Sequence, residues 1–295
     1  MPGSVLRPFP EGIAVRRSDR AAALIAGILT AGLLGFVLLP ILAIFLRVPP
    51  STLFAQLRSP VALAALRVSL RSTLIALAVI VVFGTPVAYV LATRRFPGAA
   101  VLIALLELPL VLPPAVAGIG LFAAFGRFGL LGGALRAFGI EIPFSQAAVV
   151  MALVFVANPF YTRLAVAAFA SMDHQLLGAS RTLGKGSAST FFRVALPLAR
   201  QELSAGAALA WARALGEFGA TILFAGSLQG KTQTLPLAIY EQFSGASLDG
   251  ALAISAFLVL VSAGLLAGVH VLVRARLAEG ASPSIRSSRS NSVTV

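Results

Sequence analysis

Long apolar runs separated by short polar connections dominate the pattern of this chain. A membrane-spanning helix needs about 20 predominantly apolar residues, and six runs approach or exceed that length. They cover residues 21–46, 74–92, 99–125, 146–170, 203–224 and 251–273. The pattern therefore predicts an all-α fold, a multi-pass transmembrane helical bundle with about six spans.

The first run reads as a retained span, because it exceeds the roughly 7 to 15 apolar residues of a signal-peptide core and lacks a clear small-residue cleavage site. Residues 1–20, which are basic and contain several prolines and glycines, are predicted to be a disordered tail. The serine-rich residues 277–295 are predicted to be a second disordered tail. Residues 21–65 then form an extra first span with its external connection, and residues 66–276 form the main transmembrane domain.

The third run contains three prolines within six residues, Pro109, Pro113 and Pro114. Each proline removes a backbone donor and crowds the preceding turn, so this segment cannot be an unbroken helix. Irregular backbone at membrane depth is tolerated only against protein or a water-filled path. We therefore expect the proline segment to face a translocation pathway.

Composition agrees with a membrane protein, since 58% of the residues are hydrophobic and only 11% are charged. The net charge of +13 could indicate nucleic-acid binding, but the basic residues lie in short connections without aromatic stacking partners. The absence of cysteine excludes disulfides, thiolate metal sites and cysteine nucleophiles. Neither His174 nor His270 has a second ligand nearby in sequence, so no metal site is predicted.

The distribution of basic residues predicts the orientation of the chain. With both termini inside, the inner segments contain fourteen Lys and Arg residues and the outer segments seven. Because cytoplasmic loops carry the excess of basic residues, both termini are predicted to be cytoplasmic. The connection between the fourth and fifth runs, residues 171–199, then lies in the cytoplasm.

The connection 171–199 has the pattern of a helix, a turn and a second helix. Asp173 can cap the first helix, Ala179 and Leu183 lie on one face, and Gly184 can end it. We expect a rigid polar projection at the membrane surface. Its candidate functional residues are Gly178, Ala179, Ser180, Arg181, Leu183, Gly184, Lys185, Leu196 and Pro197.

The spacing of this connection resembles the cytoplasmic signature of binding-protein-dependent ATP-binding-cassette (ABC) importer permeases. That signature reads Glu-Ala-Ala, three residues, Gly, nine residues and Ile-x-Leu-Pro. The positions that keep the spacing are Ala179, Gly184, Val194, Leu196 and Pro197. Gly178 replaces the Glu and Ser180 replaces the second Ala, which puts only the hydrogen bonds of the Glu in doubt. The resemblance implies a coupling helix that docks in a cleft of a separate ATPase subunit.

A second resemblance, which covers about residues 66–276, is to permeases of the molybdate type. It is carried by the Gly-Glu-Phe-Gly-Ala-Thr run at 216–221, the proline-rich run at 108–114 and the Phe-Pro-Gly turn at 96–98. Sulfate and tungstate permeases share the Gly-Glu-Phe-Gly-Ala core, so that core implies only a tetrahedral oxyanion. The Thr-Gln-Thr-Leu-Pro run at 232–236 and the proline-rich run favour molybdate.

These resemblances imply a type I ABC importer permease (MetI-like) fold in the bacterial inner (cytoplasmic) membrane, working by alternating access. They imply a transport subunit with no catalytic residue, no cofactor and no ATPase site of its own, since a partner would bind ATP and Mg²⁺. The implied partners are two ATPase subunits, an extracytoplasmic oxyanion-binding protein, a second permease copy in a homodimer, and lipid. A gradient-driven secondary transporter is the rival class, but we find no convincing inverted repeat and few buried acids.

Charged residues within spans usually face a cavity or a partner. Arg213 and Glu217 are four residues apart and can pair on one helix face, either as a structural clamp or as a polar pathway lining. We favour the clamp, because a permanent charge on the path can bind cargo too tightly. Glu107 can join either arrangement. The residues assigned to the pathway or gate are Pro109, Pro113, Pro114, Arg213, Glu217, Phe218 and Gly219.

Overall fold

A computed structural model describes residues 17–94, 96–245 and 247–280, and every regular element within these residues is helical. The all-α prediction is confirmed. The chain divides into two compact units, residues 1–49 and residues 50–295, which are described separately.

The first unit contains one helix, α1 (Arg17–Arg47), which is long and apolar enough to span a membrane. The helix begins earlier than the sequence predicts, so the assignment of residues 17–20 to a disordered tail was wrong. The rest of that predicted tail, residues 1–16, lies outside the described residues.

The second unit consists of twelve further helices within its described residues. They are α2 (Pro50–Leu57), α3 (Pro60–Thr93), α4 (Ala99–Glu107), α5 (Pro114–Phe125), α6 (Gly132–Ala137), α7 (Gln146–Ala170), α8 (His174–Thr182), α9 (Ser187–Thr190), α10 (Leu196–Leu215), α11 (Gly219–Ala225), α12 (Leu235–Ser244) and α13 (Leu248–Gly280). A 3₁₀ turn (Leu108–Leu110) follows α4, and a π-helical turn (Phe191–Ala195) joins α9 to α10. The predicted C-terminal tail is helical as far as residue 280, and residues 281–295 lie outside the described part.

Helix α7 forms the centre of the second unit and packs against α3, α10 and α11. Its start is fixed by Ser145, whose side-chain oxygen accepts a hydrogen bond from the backbone N–H of Ala148 at 3.3 Å. Ser59 caps α3 in the same way, at 3.2 Å from the N–H of Ala62. Buried positions recur every three or four residues along both helices and are mostly small, which lets the backbones approach closely.

Two hydrogen bonds between side chains join α3 to α7 and to α10. The hydroxyl of Tyr161 on α7 lies 2.5 Å from the hydroxyl of Thr85 on α3, which itself donates to the carbonyl of Val81. Tyr161 is therefore the donor of the interhelical bond. The indole N–H of Trp211 on α10 donates to the hydroxyl of Thr73 on α3 at 3.0 Å. Together these bonds fix α3 against its two main neighbours.

The expected spans are not all continuous helices. Among the described residues, three helices are long and apolar enough to cross a membrane, namely α1, α3 and α7, or up to five if each of two bent pairs counts as one span. The bent pairs are α4 with α5, and the α9–α10 rod with α11. The last predicted span corresponds to α13, whose described apolar stretch, residues 248–264, is shorter than a full span.

The segment between the fifth and sixth apolar runs is not a simple polar connection. Thr232, Gln233 and Thr234 are buried, and the next residue begins α12, which packs against α3 and α13. The backbone N–H of Leu235 donates to the side chain of Ser69 on α3 at 2.8 Å. A linear pattern cannot reveal this last contact, because Ser69 and Leu235 are 166 positions apart.

Candidate coupling surface and gate

Helix α8 presents one face to the protein and the other to solvent. Its start is capped by Asp173, whose carboxylate accepts a hydrogen bond from the N–H of Gln175 at 2.8 Å, as predicted. Leu177 is only 4% exposed. On the other face Ala179 is exposed, and Leu183, just past the helix, is 79% exposed. An apolar side chain left this open is available for contact with another protein.

Gly184 ends this helix in the conformation that the sequence predicts. Its φ of 75° lies in the left-handed region, which glycine adopts at little cost. The N–H of Lys185 then bonds back to the carbonyl of Ser180 at 3.2 Å, the long-range bond of a Schellman motif. The exposed residues Gly178, Gly184 and Lys185 thus surround a turn of defined shape, and Arg181 lies within the helix before it.

The departure from the importer signature at Ser180 has a structural explanation. The hydroxyls of Ser180 and Thr190 share a hydrogen bond of 3.0 Å, and both side chains are buried. This bond ties α8 to α9, which an alanine at position 180 could not do. Gly178, which replaces the Glu of the signature, is exposed and has open space around it.

The second half of the connection leads directly into the membrane domain. Phe191 packs against Tyr89 of α3 and lies near Phe169 of α7, with ring centroids 4.9 and 6.3 Å apart. The π-helical turn that it begins ends one residue before Leu196, which is half-buried, and Pro197, which is exposed. Proline cannot donate the usual helical hydrogen bond, and a widened turn before it accommodates the loss.

The two bent helix pairs meet at their breaks. The axis turns by 113° between α4 and α5, at the proline segment, as the sequence predicts. It turns by 61° between α10 and α11, within the apolar run that the sequence analysis interpreted as the fifth span. A methyl group on Gly219 would lie 2.8 Å from Cβ of Pro114, and one on Gly118 would lie 2.8 Å from the carbonyl oxygen of Ala220. The two recognised motifs, proline-rich and Gly-Glu-Phe-Gly, are thus in direct contact.

Most of the proline segment lies open on this chain. Pro113 and Pro114 are exposed, Pro109 is half-buried, and Val111 is 80% exposed. Irregular backbone with this exposure is suited to a protein-lined cavity and not to lipid. The residues therefore occupy a position consistent with a gate.

Arg213 and Glu217 form a tight ion pair at the second break. Their Nη2 and Oε2 atoms lie 2.6 Å apart, and the side chains are 26% and 1% exposed. The other oxygen of Glu217 accepts a hydrogen bond from the N–H of Ala220 at 2.8 Å, so this carboxylate connects the end of α10 to the start of α11. Phe218, half-buried between them, packs on Tyr240 at 5.1 Å between ring centroids. This geometry supports the clamp interpretation over the pathway lining.

Glu107 joins neither arrangement around Arg213. It pairs instead with Arg163 of α7, with Oε1 and Nε 3.8 Å apart. The sequence analysis counted Arg163 among the charges within spans but gave it no role. A signal was available, since an arginine inside an apolar run needs a partner or a cavity.

The bundle, its broken helices and the projecting α8 define a membrane-embedded transport subunit. The chain belongs to the family described as "binding-protein-dependent transport system inner membrane component", whose model matches residues 82–279. It is therefore an inner membrane transport component, as the sequence resemblance implied.

Within this family, the chain is similar to molybdenum and sulfate transport permeases. The molybdenum transport system permease protein ModB of Mycobacterium tuberculosis is 44% identical over 236 residues, covering 79% of this chain and 88% of the relative. The sulfate transport system permease protein CysW of Synechococcus elongatus is 36% identical over 179 residues, covering 61% and 63% respectively. A solved bacterial alginate ABC transporter in complex with an alginate-bound periplasmic protein matches with a TM-score of 0.69 at 15% identity, over 88% of this chain and 97% of that chain. The last match confirms the ABC importer permease fold.

Proposed function

We propose that this chain is the permease subunit of an ATP-driven importer that carries a tetrahedral oxyanion, and that the oxyanion is molybdate. The observation that carries the coupling mechanism is the exposed face of α8, where Ala179 and Leu183 project from a helix that is capped at both ends. The substrate rests on the 44% identity to a molybdenum transport system permease. Sulfate is the second candidate, because a sulfate permease is 36% identical. Tungstate is a further candidate, because tungstate permeases share the Gly-Glu-Phe-Gly-Ala core.

The proposed cycle assigns each region a task. Two ATPase subunits, which bind ATP and Mg²⁺, grip the coupling surface formed by Gly178, Ala179, Leu183, Gly184 and Lys185 from the cytoplasm. Their closure moves α8, and the helical segment from α9 to α10 transmits the motion to the breaks. The gate then opens outward to an extracytoplasmic binding protein and inward after hydrolysis.

The complex is proposed to contain two copies of this permease, with both termini in the cytoplasm. The excess of basic residues in the inner segments supports this orientation. The exposed proline segment supports a second copy, since a pathway between two such surfaces keeps irregular backbone away from lipid. The chain is proposed to have no ATPase site of its own.

The test of the transport mechanism is molybdate uptake in reconstituted vesicles that contain the permease and the binding protein, with and without the ATPase subunit. Uptake is expected only when the ATPase and ATP are present. Uptake that persists without the ATPase would assign the protein to the gradient-driven class.

The test of the coupling surface is Gly184→Val, with Gly186→Val as its matched control. Both glycines have open space around them, but only Gly184 has a positive φ, which a β-branched residue tolerates poorly. We expect Gly184→Val to hydrolyse ATP without transport, whereas Gly186→Val should transport normally. Equal coupling in the two variants would remove the Gly184 turn from the mechanism.

The test of the substrate is isothermal titration of the partner binding protein with molybdate, tungstate and sulfate. Molybdate is expected to bind most tightly. Tighter binding of sulfate would reassign the substrate while leaving the transport mechanism intact. The binding protein and ATPase for these assays are to be sought among the products of the neighbouring genes.

A further inference from the structure

Two ion pairs occur among the described residues, and they differ in separation, in burial and in whether they join two distant helices. The pair of Arg213 and Glu217 has a separation of 2.6 Å, joins residues four positions apart, and buries Glu217 almost completely and most of Arg213. The pair of Arg163 and Glu107 joins two helices, has a separation of 3.8 Å and is 70% and 36% exposed. The first pair is built to stay closed, whereas the second is loose enough to open.

Both members of the loose pair lie at the same depth of the bundle. Glu107 is eight residues from the start of α4, and Arg163 is seven residues from the end of α7, which are about 12 Å and 10 Å at 1.5 Å per residue. The hydrogen bond between Tyr161 and Thr85 shows that α7 and α3 end at a similar depth, since the two residues lie nine and eight residues before the ends of their helices. Given the proposed orientation, in which the start of α4 and the end of α7 face the cytoplasm, the pair lies in the inner half of a hydrocarbon core about 30 Å thick.

The surroundings of the pair favour water over lipid. A guanidinium that is 70% exposed at this depth is unfavourable against hydrocarbon. Glu107 also leads directly into the proline segment, where Val111 is 80% exposed and the backbone is irregular. Lipid does not accept irregular backbone either. Both features place this surface away from lipid, on a water-filled path or against protein.

The chemistry of Arg163 fits a tetrahedral oxyanion. Its separation from Glu107 exceeds hydrogen-bond length, and no hydrogen bond from its side chain appears among the described residues. Its guanidinium therefore retains N–H donors in the planar fork that binds two oxygens of one anion. Glu107 keeps the local charge near neutral when no anion is present, which prevents the arginine from becoming a trap.

We propose that Arg163 is a transient contact for the transported oxyanion in the inner half of the pathway, and that Glu107 competes with the anion and promotes its release. This inference rests on the proposed import of an oxyanion. It assigns to the loose pair the path-lining role that the sequence analysis considered for Arg213 and Glu217.

The first experiment measures ATP-driven molybdate uptake by the complete complex of permease, ATPase and binding protein in vesicles. Arg163→Gln is expected to lower uptake at least about tenfold, the loss expected for one charge-assisted hydrogen bond. Glu107→Gln is expected to slow release, so that the maximal uptake rate falls while half-saturation occurs at a lower concentration of loaded binding protein. The double variant should remain as slow as Arg163→Gln, since the anion contact is still missing. Recovery in the double variant would show that the pair only holds the helices together and would overturn the proposal.

The second experiment uses the absence of cysteine from the chain. Arg163→Cys is treated with a membrane-impermeant thiol reagent from the cytoplasmic side, and Phe83→Cys on α3, an apolar residue that is 67% exposed, serves as the control. The cysteine at position 163 should react, because the proposal places it on a water-filled path, while the control should be inert. An unreactive cysteine at 163 would overturn the proposal.

The two proposals fail in different ways. Wild-type vesicles that do not take up molybdate with ATP would contradict the proposed function. Normal wild-type uptake together with unchanged uptake by Arg163→Gln would contradict only the role of the loose pair. If Arg163→Gln does not assemble, Arg163→Lys supplies the same comparison, because it keeps the positive charge but loses the planar pair of N–H donors. Uptake by Arg163→Lys equal to that of the wild type would count against the proposal.

Discussion

The contact between the two breaks can be tested with a single methyl group. Gly219→Ala places Cβ 2.8 Å from Cβ of Pro114, whereas ordinary contacts of this kind are 3.4 to 4 Å. The proline ring is rigid, so the two segments must separate by about 0.6 Å or more to accept the methyl group. The substitution therefore acts on the relative position of the two breaks and on little else.

The expected cost follows from packing. Overpacking a close contact costs about 1–3 kcal/mol, and replacing glycine by alanine in a helix returns up to about 1 kcal/mol. A net cost of about 1.4 kcal/mol would shift a two-state equilibrium tenfold. That cost falls on the conformation in which the breaks are packed as here, so the balance between conformations should move away from it.

The assay is the number of molybdate ions taken up per ATP hydrolysed in reconstituted vesicles, together with thermal unfolding in detergent. Gly216→Ala is the matched control, because Gly216 lies in the same break but has nothing within 4 Å of the added methyl group. Gly219→Ala should lower both the uptake ratio and the unfolding temperature, and Gly216→Ala should change neither. If the two variants behave alike in both measurements, the contact with Pro114 does not position the breaks.

Three further predictions concern contacts away from that break. Arg213→Met leaves the buried carboxylate of Glu217 unpaired and should destabilise the protein by about 3–5 kcal/mol; adding Glu217→Gln should recover most of this in chemical denaturation, and a fully additive result would argue against the clamp. Ser180→Ala leaves the buried hydroxyl of Thr190 without a partner, so it should lower the free energy of unfolding by about 1–3 kcal/mol and increase proteolysis of the connection 171–199. Adding Thr190→Val should recover much of the lost stability. Tyr161→Phe should cost roughly 0.6 kcal/mol in thermal unfolding, since it removes one interhelical hydrogen bond within the bundle.

The sequence was sufficient for features that depend on local chemistry. Apolar length identified α1, α3 and α7 as spans, the prolines identified the first break, and Asp173 and Gly184 identified both ends of α8. Each of these effects acts within a few residues of its cause, so a linear pattern contains it. The family and the fold followed from motif spacing and were confirmed.

Features that depend on contacts between distant segments could not be read in this way. The second break at Gly216 occurs inside an apolar run whose length suggests one span, and its stability comes from Glu217 and the packing of Gly219 on Pro114. The pairing of Glu107 with Arg163 joins residues 56 positions apart, which no periodicity reveals. The site assignments of the coupling surface and gate remain predictions that the experiments above address.

The continuous helical segment from Ser187 to Leu215 has one further consequence. At 1.5 Å per residue it is about 40 Å long, with the coupling connection at one end and the break beside Arg213 at the other. If this helical segment moves as a rigid body, a tilt at one end displaces the other end, and no chain of side-chain rearrangements is needed between them. The widened π-helical turn at Phe191–Ala195 lies close to the end that joins the connection 171–199, and we expect the segment to bend there first.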